Sequence, residues 1–171
     1  MLNQATNAAV RIGVVGAGAI GRRHTQYCID EPGTALIGIA DPASDAANLA
    51  RECGVPHFRS LEDMLDAQSV DGIILAVPTP LHCKVALTAI RRGIAVLIEK
   101  PITEHPVEAT ELIATANSTG AKILVGHHRR HNPIVQQARN IVKSELGQLL
   151  AVNVLWAVEL RNQSRSSWEP V

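Results

Sequence analysis

Aromatic side chains are almost missing from this chain. Tyr27, Phe58, Trp156 and Trp168 are the only four in 171 residues, which leaves few platforms for stacking on single-stranded nucleic acid. Net charge is missing too. Sixteen basic residues balance sixteen acidic ones, so no overall field draws the chain to nucleic acid or to an anionic membrane. Cysteine is scarce, and Cys28, Cys53 and Cys83 lie far apart. Their odd number and spacing give no CxxC and no metal-ligand set, which reads as free thiols in a reducing cytoplasm. No apolar run approaches the roughly 18 residues needed to cross a bilayer. Residues 1–9 are polar and too short for the apolar core of a signal peptide. What is left is a globular, cytoplasmic chain, 46% apolar and 19% charged. It is long enough for one full domain and a remnant.

The strongest local signal is Val10-Arg11-Ile12-Gly13-Val14-Val15-Gly16-Ala17-Gly18-Ala19-Ile20-Gly21. A short apolar run stops at a glycine-rich turn and hands over to a helix beginning near Ala19. Gly16 suits the tight turn, Gly18 lets a pyrophosphate approach the backbone, and Gly21 allows close helix–strand contact. The first N–H groups of the helix, at Ala19, Ile20 and Gly21, and its positive dipole end would face that pyrophosphate. Asp41 follows Gly21 by twenty residues, directly after the apolar run Ala35-Leu36-Ile37-Gly38-Ile39-Ala40. A second parallel strand would present such a carboxylate to the ribose hydroxyls of NAD. The same acid can equally cap the next helix. It would repel a 2′-phosphate, and Pro42-Ala43-Ser44 holds no arginine to receive one, so NAD is favoured over NADP.

Strand and helix alternate six times. Strands are expected at 10–15, 35–40, 55–58, 70–77, 94–98 and 121–125. Helices are expected at 19–31, from Asp41-Pro42 to about Cys53, at 61–67, from Pro80 to Arg92, and at 106–118. This is the pattern of a doubly wound parallel sheet, the Rossmann dinucleotide-binding fold. Gly16, Asp41, Pro78, Lys100 and His127 all fall at carboxyl ends of strands, where the ligand crevice of such a sheet lies. The expected organisation is a tail at 1–9, a dinucleotide-binding domain at 10–126, and the incomplete start of a second α/β domain at 127–171. That start comprises a helix over 133–143 and a strand over 149–160. Its exposed edge, with Leu150, Val152, Val154 and Trp156, predicts aggregation, pairing with another copy through 149–158, or local disorder.

These motifs together resemble the glucose–fructose oxidoreductase / inositol dehydrogenase / MocA family of NAD(P)-dependent oxidoreductases. The matching elements are Gly16–Gly21, Ala40-Asp41-Pro42, Val77-Pro78-Thr79 with Leu81-His82, Glu99-Lys100-Pro101-Ile102, and Gly126-His127-His128-Arg129-Arg130-His131-Asn132-Pro133. The resemblance implies hydride transfer between a nicotinamide and a carbinol carbon of a sugar, cyclitol or related polyol. It implies cofactor contacts at Val77, Pro78, Thr79, His82, Glu99 and Lys100, and substrate contacts at Lys100 and Arg130. It also implies a catalytic Asp and His further on, which have no counterpart before Val171, so the chain as written is expected to be inactive or a fragment of a longer enzyme.

Lys100 is the expected proton handler, its amine partly desolvated at a strand end; the plain alternative is a surface lysine. The Lys100–Pro101 bond is a place where cis geometry would fix the turn that aims the amine. Thr79 and His82 would face the nicotinamide half, or cap the helix that follows. His127 and His131 are four apart, but Pro133 and the absence of a nearby carboxylate argue against a metal. Three functions stay open: a polyol-type oxidoreductase, a non-catalytic nucleotide-binding module, and a methyltransferase, against which the Glu-Lys-Pro element counts.

Overall fold

The computed structural model describes residues 8–155. The chain divides into two compact units, Met1–His127 and His128–Val171.

The first unit is a sheet of six strands: β1 (Val10–Val15), β2 (Thr34–Ala40), β3 (His57–Phe58), β4 (Gly72–Leu75), β5 (Ala95–Ile98) and β6 (Ile123–Val125). Their order is β3-β2-β1-β4-β5-β6, and every neighbouring pair is parallel. Between them run α1 (Ala19–Asp30), α2 (Ala46–Glu52), α3 (Leu61–Ala67), α4 (His82–Ile90) and α5 (Pro106–Thr119). The register aligns the carboxyl ends. Val15 lies beside Ala40 and Leu75, Leu75 beside Ile98, and Ile98 beside Val125. The turns after β1, β2, β4, β5 and β6 therefore open on one edge of the sheet. The strand order reverses between β1 and β4, which is where a ligand crevice forms.

Apolar strand runs make this possible. Ile73, Leu75, Val96 and Ile98 are buried and pack with Met64 of α3, Leu87 and Ile90 of α4, and Leu112 of α5. Ile39 packs with Ala46, Leu49 and Ala50 in a second cluster under α2. Truncating a fully buried leucine such as Leu112 costs about 2–5 kcal/mol, so this core fixes the spacing of the turns above it.

Most strand and helix ends shift by one or two residues from the sequence expectation, and three differences have a clear cause. The helix expected from Asp41 begins only at Ala46, with Asp45 as its N-cap residue. The cause is local: Asp41 Oδ1 accepts the Ala43 N–H at 2.8 Å, and such side-chain-to-backbone bonds compete with helix. The helix expected from Pro80 opens as a 3-10 turn over Thr79–Leu81 before α4 starts at His82. Finally, residues 149–155 form no strand. A strand needs a neighbour to take its N–H and carbonyl groups, and no described segment pairs with this one. The rest of that expected strand, with Trp156, lies outside the described residues.

In the second unit, a 3-10 turn at His128–His131 leads to α6 (Pro133–Ser144). Asn132 Oδ1 accepts the Ile134 N–H at 2.9 Å and sets the start of α6. Among the described residues, no helix is long and apolar enough to cross a membrane.

Candidate functional site

The turn after β1 holds three glycines with different reasons to be glycine. Gly16 has φ of 98°, and a Cβ there would collide with the Ala76 carbonyl of the turn after β4. A Cβ at Gly21 would collide with the Gly16 carbonyl. Both are required by the chain itself. Gly18 is not: a Cβ there would meet nothing within 4 Å. Gly18 is the N-cap residue of α1, which has no side-chain cap and no acid in its first turn. The Arg22 N–H bonds back to the Gly18 carbonyl at 2.9 Å, while the N–H groups of Ala19, Ile20 and Gly21 precede any intrahelical acceptor. A 12-residue helix thus offers its positive end and its free donors beside open backbone. That cradle fits a diphosphate.

Asp41 sits at the tip of β2 and is turned toward this loop. Its Oδ2 accepts the Ala17 N–H at 2.7 Å, and its own N–H donates to the Phe58 carbonyl at 3.0 Å. Each carboxylate oxygen keeps a further lone-pair site for a hydroxyl donor. The helix-cap alternative does not hold, because Asp45 occupies that position. Arg22 reaches the same loop from α1, but its Nη2 lies 3.5 Å from Asp45 Oδ2.

Beyond β5, Glu99 anchors the turn. The Glu99 N–H donates to the Leu75 carbonyl at 3.0 Å. Its Oε1 is 2.7 Å from His24 Nε2, and its Oε2 accepts the Lys100 N–H at 3.1 Å. A Cβ on Gly126 would come within 3.1 Å of the same carboxylate. Burial works to push the Glu99 pKa up, but the hydrogen bonds from His24 and the Lys100 N–H, with their charges, outweigh it and hold it below the ordinary value. Both oxygens are directed into the chain. His24 was not singled out from sequence. The available signal was its place three residues after Gly21, on the same face of α1.

Lys100 is exposed, whereas its strand-end position predicts partial desolvation. Among the described residues no hydrogen bond or ion pair engages its ammonium, and the Lys100–Pro101 bond is cis. In the turn after β4, Val77 and Thr79 are half-buried and Pro78 is exposed. Thr79 caps nothing through its side chain: α4 has Leu81 at its N-cap position and no side-chain cap. His82 is buried to 1% exposure, with Nε2 2.9 Å from the Val77 carbonyl and Nδ1 2.8 Å from the Pro101 carbonyl. Its ring therefore lies under the turns and does not face a pocket. Arg130 is exposed in the 3-10 turn of the second unit. Among the described residues no three His, Cys, Asp or Glu side chains gather to hold a metal.

Known proteins share this arrangement. Residues 10–127 match the family model GFO_IDH_MocA, described as an oxidoreductase family with an NAD-binding Rossmann fold. The 4-carboxy-2-hydroxymuconate-6-semialdehyde dehydrogenase of a Sphingobium species is 33% identical over 140 residues, which cover 80% of this chain and 44% of that protein. The inositol 2-dehydrogenase of Corynebacterium glutamicum is 33% identical over 152 residues, covering 86% of this chain and 45% of that one. Among solved structures, the WlbA dehydrogenase of Bordetella pertussis, in complex with NADH and UDP-GlcNAcA, superposes with a TM-score of 0.75. It is 26% identical and matches 79% of this chain and 42% of that one. The chain thus spans less than half the length of the relatives it matches. With the family model covering well over half of its residues, this chain belongs to the Gfo/Idh/MocA oxidoreductase family and carries that family's NAD-binding Rossmann fold.

Proposed function

We propose that the diphosphate of NAD lies on the loop Gly16–Gly21, with the N–H groups of Ala19, Ile20 and Gly21 as its donors. Asp41 accepts from the adenosine ribose and disfavours NADP. The nicotinamide half runs toward Val77, Pro78, Thr79 and Lys100. Bound NAD supplies a hydride acceptor. The chain's own residues supply position and proton handling, with Lys100, as its neutral amine, taking the proton from a hydroxyl on a carbinol carbon. Glu99 acts from behind, holding the Lys100 main chain. The free thiols Cys28, Cys53 and Cys83 fit a cytoplasmic site of action.

One observation carries this reading: the Asp41 carboxylate turned to the Ala17 N–H beside an uncapped helix start. Titration of the chain with NAD, followed by an oxidation assay on cyclitols and hexoses, tests it. Saturable binding with Lys100-dependent NADH formation supports the full reading. Binding without turnover keeps the dinucleotide site and makes the chain a nucleotide-binding module. No binding at millimolar NAD overturns it.

A further inference from the structure

We propose that His82 is a positioning residue, which ties the turn after β4 to the turn that carries Lys100. The proposal rests on the cofactor reading above, in which these two turns flank the nicotinamide half. His82 begins α4, at the exposed edge of the sheet, yet its ring is buried to 1% exposure. The ring nitrogens lie 2.9 Å from the Val77 carbonyl and 2.8 Å from the Pro101 carbonyl. Carbonyl oxygens only accept and a neutral imidazole carries one N–H, so the ring donates to one of the two carbonyls while its other nitrogen lies against the second, and neither nitrogen is open to a ligand. Pro101 directly follows Lys100. The main chain on that side of Lys100 is held by His82, and on the other side by Glu99 through its bond to Leu75. The imidazole is the spacer between the two turns. Without it, the carbonyl that accepts from the ring loses its donor and the turns are free to part.

The test uses the whole chain, two ligand affinities, thermal melting and lysine NMR. His82→Leu keeps roughly the volume and removes the ring N–H; His82→Gln keeps an amide donor for one carbonyl. Affinities for ADP-ribose and NAD are measured by calorimetry, alongside thermal melting. Separately, the lysines are 13C-dimethylated and followed by NMR. Lys84, Lys100, Lys122 and Lys143 are the only four, and Lys100→Arg assigns the resonance of interest. The expected result for His82→Leu is ADP-ribose affinity within about two-fold of the parent, NAD affinity lower by about ten-fold, and a displaced Lys100 resonance. His82→Gln restores part of each. If His82→Leu does not fold, the comparison is made on His82→Gln alone, with smaller changes in the same directions. Equal weakening of ADP-ribose and NAD, or an unmoved Lys100 resonance in a folded variant, overturns the proposal. Failure of ADP-ribose to bind the parent chain counts against the cofactor reading instead, and the ligand-free Lys100 resonance then decides the role of His82.

Discussion

Asp41 Oδ2 accepts the main-chain N–H of Ala17 at 2.7 Å, so the tip of β2 holds the middle of the glycine turn after β1. Two links depend on this bond: the shape of the loop and the charge beside the ribose position. Asp41→Ala is expected to weaken NAD binding by about 10- to 100-fold, the range for a hydrogen bond to a charged group. It is also expected to narrow the gap between NAD and NADP, since the repelling carboxylate is gone. Calorimetric titration with both dinucleotides checks both outcomes.

The glycines separate folding from binding. Gly18→Ala adds a Cβ that meets nothing, so its stability is expected to stay within about 0.5 kcal/mol of the parent. Its NAD affinity should drop, because the methyl group occupies the approach to the diphosphate. Gly16→Ala puts a Cβ on backbone with φ of 98° against the Ala76 carbonyl, and should cost about 1–3 kcal/mol or more. Urea denaturation beside NAD titration distinguishes the two. Equal loss of stability in both variants would contradict this division of roles.

His24→Ala removes the partner 2.7 Å from Glu99 Oε1 and leaves a carboxylate that is mostly buried with the Lys100 N–H alone. A loss of about 1–3 kcal/mol in unfolding free energy is expected. Denaturation at neutral pH measures it. An unchanged midpoint would mean that the pair does not anchor the turn.

The pair Arg11–Asp71 ties the start of β1 to the residue before β4. Arg11 donates through its N–H at 2.8 Å, Nε at 2.9 Å and Nη2 at 2.6 Å. The side-chain and backbone hydrogen bonds from Arg11 lower the Asp71 pKa to about 2. A carboxylate depressed on folding adds stability above its unfolded value of about 3.9 and loses it as pH falls toward the folded value. Melting temperatures of the parent and Asp71→Asn should therefore differ most above pH 4 and converge toward pH 2. Because both side chains are exposed, the difference is expected to be small and to shrink further in salt.

The sheet was legible because strands buried on both faces must be nearly continuous apolar runs, as at Ile73–Leu75 and Val96–Ile98. The glycine turn was legible because its constraints are local. What escaped depends on specific side-chain bonds, one of them local and the others to distant partners. The start of α2 is delayed by the Asp41 carboxylate bonding to Ala43, which propensity alone does not reveal. His24 gains its meaning from Glu99, 75 residues away. His82 is readable as polar and near the site, but its burial depends on the carbonyls of two separate turns. Residues 149–155 are a nearly continuous apolar run but find no ladder partner among the described residues, and an apolar run without a partner does not make a strand.

The amide resonances of Ala17 to Gly21 report most directly on whether this loop takes the dinucleotide. In a 15N-labelled chain titrated with NAD, the N–H signals of Ala19, Ile20 and Gly21 are expected to shift together and saturate, with a smaller response to NADP at equal concentration. A folded chain in which these signals stay fixed at millimolar NAD, or in which the shifts fall only on residues away from the loop, would contradict the account.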